Sequence, residues 1–153
     1  MIAKPKRAVF GAVKSERFDE ISKYRRIDIT RENFGTAIND RNLYRTLLDI
    51  SLHHPHSVVR HEASFLLGKL NLTRAIPYLI SIVKFDKSIV AKHEAAESLG
   101  KLGENSDLAY EFLKEMTNLK RKVYEDDVYH ADVQATAELA ITEIEEKRKL
   151  KSN

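Results

Sequence analysis

Cysteine is absent from this 153-residue chain. That excludes a disulfide framework, a thiolate metal site, a cysteine nucleophile and an iron–sulfur cluster, so any metal must be held by histidine and carboxylate. Glycine and proline are scarce, at five and three residues. With 42% hydrophobic and 32% charged residues, the composition is that of a folded, helix-tolerant protein rather than a disordered one. No apolar run approaches the roughly 20 residues that a bilayer span requires. The start carries Lys4, Lys6, Arg7 and Lys14 without a signal-type apolar stretch, and the expectation is a cytoplasmic protein with no membrane partner. A Gly-rich phosphate loop, a Gly-x-Ser-x-Gly elbow and a Ser/His/Asp set are also missing, which removes nucleotide and hydrolase chemistry.

What is present suits one domain with an arm, at 17.6 kDa; a multidomain enzyme is excluded. Net charge is only +3, but residues 1–31 hold nine basic and four acidic side chains, leaving −2 for the rest. Such an arm can meet phosphate or carboxylate. It has no dense Lys/Arg block and no recognition motif, so a solvated surface is the simpler reading and nucleic acid is not an expected partner. Residues 1–40 read as this basic arm, with one or two short helices between Asp19 and Asn39 after a Thr30 cap. Residues 41–153 read as the main domain.

Shifting the chain by 32 residues superposes Leu47 on Leu79, Leu48 on Ile80, Ile50 on Ile82 and Val58 on Val90. The register continues through His61 on His93, Glu62 on Glu94, Ala63 on Ala95, Gly68 on Gly100, Lys69 on Lys101 and Leu70 on Leu102. Within each unit apolar residues recur at three and four, the helical period. His54-Pro55 separates the two helices of the first unit, Ser57 and Ser88 are placed to cap the second helices, and Gly103 can close the second unit. Thr73 reads as the cap of the next helix, with Pro77 early in it and at most a local kink there. A third pair follows, Ser106–Leu119 and Ala131 to about Lys149. A polar loop from Lys120 to Tyr129, either a lid or a mobile connection, joins its helices.

Helix pairs of this period cannot bury their apolar faces alone and stack into a shared core. The predicted fold is all-α: a short right-handed HEAT-like α-solenoid of about three helix pairs, with an N-terminal helical arm.

The repeated doublets Arg60-His61-Glu62-Ala63 and Lys92-His93-Glu94-Ala95 carry the chemistry. Second helices of adjacent repeats lie parallel about 8 to 10 Å apart, so His61 and His93 project from neighbouring helices at one height, within reach of a common ion. A carboxylate one residue on is rotated by about 100° and can join from the flank. Two histidines and one carboxylate with open positions suit non-haem iron(II), although zinc also accepts this set. The third repeat places Ala135 and Thr136 where His and Glu stood and keeps the small and apolar positions, so the core does not require the doublet. The competing reading makes the doublets solvated polar residues near a helix start, the glutamate favoured by the dipole. His53, His54 and His56 form a His-rich turn that can bind metal or simply be polar, and His130 reads as a surface residue.

The runs Val59-Arg60-His61-Glu62-Ala63-Ser64-Phe65-Leu66-Leu67-Gly68, Arg74-Ala75-Ile76-Pro77 and Lys92-His93-Glu94-Ala95-Ala96-Glu97-Ser98-Leu99-Gly100 resemble deoxyhypusine hydroxylase, a HEAT-repeat di-iron family. Thr136-Ala137-Glu138-Leu139-Ala140-Ile141 is similar to the metal-free repeat that closes each half of that family. The resemblance covers about residues 42–146, and the doublets are its specific part, since Ala-Ala-x-x-Leu-Gly is shared with HEAT-like phycobilin lyase relatives.

It implies His61, His93 and Glu94 as iron ligands and Glu62 as a ligand or as the catalytic group that holds the substrate amine. It implies dioxygen-dependent hydroxylation of an amine or a protein lysine side chain. The chain corresponds to one half of such an enzyme, so a di-iron centre with four doublets requires a homodimer, whose two-fold axis places identical patches face to face. The alternative is a non-enzymatic HEAT-repeat interaction scaffold with the arm as a docking segment.

Overall fold

The three- and four-residue apolar spacing becomes six α-helices in a computed structural model that describes residues 41–118 and 131–153. They are α1 (Arg41–His53), α2 (Ser57–Lys69), α3 (Ile76–Phe85), α4 (Ile89–Leu102), α5 (Asp107–Asn118) and α6 (Ala131–Ser152), with 3₁₀ turns at Thr73–Ala75 and Gly103–Asn105. No strand occurs among the described residues. The expected helices and cap of the 1–40 arm, the Lys120–Tyr129 loop and His130 lie outside them.

The helices form two layers. The first helices of each pair, α1, α3 and α5, neighbour one another on one side, and the second helices, α2, α4 and α6, on the other. Leu47, Ile50, Leu66, Leu79, Val83, Leu99, Leu113 and Ile144 fill the space between the layers and are fully buried. Burying a side chain of this size contributes about 1.5–3 kcal/mol, and no pair could bury both of its faces without its neighbours. This is the expected all-α solenoid of three pairs.

The second-helix layer is drawn together by glycine. A Cβ on Gly68 would stand 2.7 Å from Ser98 Oγ and 3.1 Å from Ser98 Cα, and one on Gly100 would stand 2.7 Å from Ala140 Cβ and 2.9 Å from Ala140 Cα. The equivalent position in α6 is Thr142, which is exposed, because no described helix packs beyond it. Ser98 Oγ uses the close approach to donate across the interface to the Ser64 carbonyl at 2.8 Å, with both serines fully buried.

The helix ends correct two expectations. Ser57 is the first residue of α2, not its cap; His56 caps it, with Nδ1 accepting from the Val58 amide. Thr73 opens a 3₁₀ turn and α3 starts at Ile76 without a side-chain cap. Pro77 therefore falls at the second helical position, where its missing N–H has no intrahelical acceptor to lose and no kink is required. Ser88 does cap α4, accepting from the Ala91 amide, and Gly103 follows its last residue. At the end of α2, Asn71 adopts φ 56°. The Leu72 amide reaches the Leu67 carbonyl and the Asn71 amide the Gly68 carbonyl, both at 3.1 Å. This is a Schellman stop, with asparagine tolerating the left-handed conformation in glycine's place.

Arg60 sets the relation of α2 to α4. Its Nε and Nη2 donate to both Asp86 carboxylate oxygens at 2.8 and 2.9 Å, and Nη1 donates to the His54 carbonyl at 2.8 Å. Asp86 Oδ1 also accepts from the Ser88 amide at 2.8 Å. One guanidinium thus ties the turn before α2 to the turn before α4.

Candidate metal centre

The two doublets fall at equivalent heights on α2 and α4, and the helical rotation between consecutive residues divides their members. Glu62 and Glu94 turn into the protein and are buried, at 3% and 5% exposure. The His61 side chain is partly covered, at 20%, and that of His93 is 44% exposed. Burial of a carboxylate is costly without compensation, so two buried glutamates in register are not solvated residues at a helix start.

His61 compensates Glu94. Its Nε2 lies 2.8 Å from Glu94 Oε2 across the α2–α4 seam, and its Nδ1 lies 3.4 Å from Glu62 Oε1. The second contact is an ion-pair distance without hydrogen-bond alignment, and Nδ1 is buried with no hydrogen-bond partner. Glu62 and Glu94 together raise the His61 pKa to about 9, against the opposing effect of partial burial. Of the two contacts, the shorter one to Glu94 has the better geometry.

His93 makes the corresponding step to the next helix. Its Nδ1 meets Thr136 Oγ1 of α6 at 2.6 Å, and Thr136 aligns with Glu62 and Glu94. Each histidine therefore touches the glutamate position of the following repeat. The His93 Nε2 lies 3.6 Å from Glu97 Oε2, one turn further along α4. Glu94 is what the two histidines share: it touches His61, and with His93 and Glu97 it forms a set whose donor atoms all lie within 4.8 Å of one another. His93, Glu97, Thr136, Leu139, Ala140 and Glu143 line a recess of about 220 Å³.

Glu97 and Thr136 were not among the sequence-predicted site residues. Glu97 was visible only as the i+4 partner of His93 on a helix face, because the first repeat has Phe65 in its place. By alignment of the repeats Thr136 marks a position where the doublet is lost. In the His-rich turn, the rings serve the backbone: His54 Nδ1 accepts from the His56 amide at 3.0 Å and His56 caps α2. That accounts for these two histidines without a ligand.

The donors present fit a divalent transition metal. Glu94 spends Oε2 on His61, while its Oε1 is buried with no hydrogen-bond partner. A buried acceptor oxygen without a donor is rare in native proteins and requires an explanation; a cation beside His93 and Glu97 supplies one. Among the described residues the set holds one histidine nitrogen and two carboxylates with no sulfur, donors that iron(II) and zinc both accept, and His61 is joined to it through Glu94.

The family model for HEAT repeats matches residues 44–125, more than half of the chain. This chain belongs to the HEAT-repeat family. Among curated proteins, this HEAT-repeat chain is similar to deoxyhypusine hydroxylase of Schizosaccharomyces pombe, 31% identical over 72% of this chain and 30% of the relative. Deoxyhypusine hydroxylase-B of Oryza sativa subsp. japonica is 36% identical over 76% of this chain and 37% of the relative. The Arabidopsis thaliana deoxyhypusine hydroxylase is 32% identical over 75% and 35%. The HEAT-repeat chain thus spans about a third of the length of the curated relatives it matches. No solved structure gives a significant match. Among the described residues no helix is long and apolar enough to cross a membrane.

Proposed function

We propose that this chain is a HEAT-repeat metalloprotein that acts as a cytoplasmic iron-dependent hydroxylase on an amine or a protein lysine side chain. The observation that carries the proposal is the buried Glu94 carboxylate, with Oε2 on His61 Nε2 and Oε1 without a partner, beside His93 and Glu97. The similarity to deoxyhypusine hydroxylases supports a hydroxylase reaction. Iron bound at His61, His93 and Glu94 would supply activation of dioxygen. The chain's own part is to position the ligands, with Glu97 within reach of the same ion, and to attract the substrate: Glu62 places negative charge beside the site, which favours approach of a protonated amine. Glu62, buried against His61, either completes the ligand set or holds that amine. A second copy facing the first across a two-fold axis would bring the doublets to four and complete a di-iron centre.

The test is metal content and oligomeric state of protein prepared without a histidine tag and loaded with iron(II). About one iron per chain in a dimer is expected, lost in His61→Ala and His93→Ala. A protein that stays monomeric and metal-free after loading would overturn the hydroxylase and leave a HEAT-repeat interaction module.

A further inference from the structure

Thr136 stands where the first two repeats carry glutamate, and its hydroxyl has two close neighbours. Oγ1 lies 2.8 Å from the Asp132 carbonyl oxygen, one turn back in α6, and 2.6 Å from His93 Nδ1. A threonine hydroxyl has one hydrogen to donate and lone pairs to accept with. If that hydrogen goes to the Asp132 carbonyl, the hydroxyl oxygen is free to accept from an N–H at His93 Nδ1, and two hydrogen bonds form. If it goes to His93 Nδ1, only one forms, and two oxygen lone pairs face each other at 2.8 Å. Thr136 is buried, at 6% exposure, so water cannot readily relieve the second arrangement.

We infer that Thr136 is a positioning residue: it holds His93 with a hydrogen on Nδ1, which in the neutral ring presents the Nε2 lone pair to the recess. No hydrogen bond at Nε2 opposes this. Glu97 Oε2 lies 3.6 Å away, too far for a hydrogen bond from an Nε2–H. Two donors sharing one ion with bonds of about 2.1 Å are roughly 3.0–3.4 Å apart, so a small movement would let both ligate. The hydrogen bond that the second nitrogen makes selects which nitrogen of a histidine can ligate. The use of Nε2 for a cation rests on the metalloprotein reading above; the tautomer does not.

The test is long-range ¹H–¹⁵N correlation of the histidine rings in the metal-free full chain at about pH 8, followed by titration with cobalt(II), a spectroscopic stand-in for iron(II). In the unaltered protein His93 is expected with a pyrrole-type Nδ1 and a pyridine-type Nε2. Thr136→Val, which keeps the shape and removes the hydroxyl, is expected to erase that preference and to weaken cobalt binding about 10–100-fold. Thr136→Ser is expected to restore both. An Nε2–H tautomer in the unaltered protein, or an unchanged Nδ1–H preference in Thr136→Val, would overturn the assignment even if cobalt binds. A tautomer that responds as expected in a protein with no cobalt affinity would uphold Thr136 as the positioning residue and overturn the metal reading.

Discussion

Replacing Gly68 by alanine isolates the feature that sets the spacing of the second-helix layer. On an open helix surface the change would stabilise the chain by about 0.8–1 kcal/mol, since glycine is a poor helix former. Here the new methyl would lie 2.7 Å from Ser98 Oγ, 2.9 Å from Ser98 Cβ and 3.1 Å from Ser98 Cα. The hydroxyl cannot swing away without giving up its bond to the Ser64 carbonyl, and the Cα cannot move without α4. Forcing an extra methylene into packed structure costs about 1–3 kcal/mol, so the propensity gain is cancelled and the net expectation runs from about zero to a loss of about 2 kcal/mol. The melting temperature would fall by up to roughly 8 °C on the scale for chains of this size. Gly100→Ala should behave alike, because Ala140 Cβ and Cα stand 2.7 and 2.9 Å from the added methyl. The control is Thr142→Ala at the equivalent exposed position of α6, expected to be neutral or to stabilise by a few tenths of a kcal/mol. Urea unfolding of the three variants against the parent reads the difference. A Gly68→Ala protein that gains about 1 kcal/mol, as an unconstrained helix would, refutes the close-approach argument.

Arg60→Ala should destabilise the chain by about 2–3 kcal/mol, because it leaves the 7%-exposed side chain of Asp86 without its bidentate partner. Arg60→Lys should recover only part of this, since one ammonium cannot match the fork to both oxygens; equal stability of the Lys variant in urea unfolding would show that charge alone matters. The raised pKa of His61, about 9, gives the metal-free protein a pH-dependent stability of definite sign. The folded state holds this proton more tightly than the unfolded chain, whose histidine titrates near 6.5. The contribution is therefore complete below about pH 6.5 and is lost as pH rises through about 9. At about 1.4 kcal/mol per unit this would be about 3 kcal/mol; screening at the partly exposed ring lowers the decline expected in denaturant titrations to the order of 2 kcal/mol. It should be flattened in His61→Gln; a variant with the parent's slope would place the titration elsewhere.

The architecture was legible because it is written twice. A 32-residue register carrying Leu47 onto Leu79 and Gly68 onto Gly100 specifies helix pairs stacked in a row, and a solenoid adds little that its repeat does not already contain. The ends of the helices were less legible, because several side chains compete for each cap. Ser57 looked like a cap by type, yet the neighbouring His56 ring takes the Val58 amide. Thr73 looked like another, yet a 3₁₀ turn intervenes before α3. Asn71 did not signal its Schellman stop because glycine is the usual marker and asparagine only an occasional one.

The site was half legible for a reason that lies in repeat geometry. Aligning repeats compares each residue with its equivalents, whereas the contacts run between columns: His61 meets Glu94 and His93 meets Thr136, each one position on in the next repeat. Seen by column, Ala135 and Thr136 are a lost doublet. Seen by contact, they separate. Ala135 is exposed and sits where a histidine would have no further described helix to reach, while Thr136 is buried and receives the imidazole of the repeat before it. Thr142 follows the same rule, since glycine is needed at that position only when another helix packs close to it. The residue types at the third repeat therefore follow from what each position must touch, and the change from glutamate to threonine makes His93 chemically unlike His61. One ring is pressed between carboxylates that favour its protonated form; the other has one nitrogen on a hydroxyl and the second turned toward Glu97. Two histidines that look identical in the repeat thus face a metal on different terms, one held by carboxylates on both sides and the other by a hydroxyl that orients its ring.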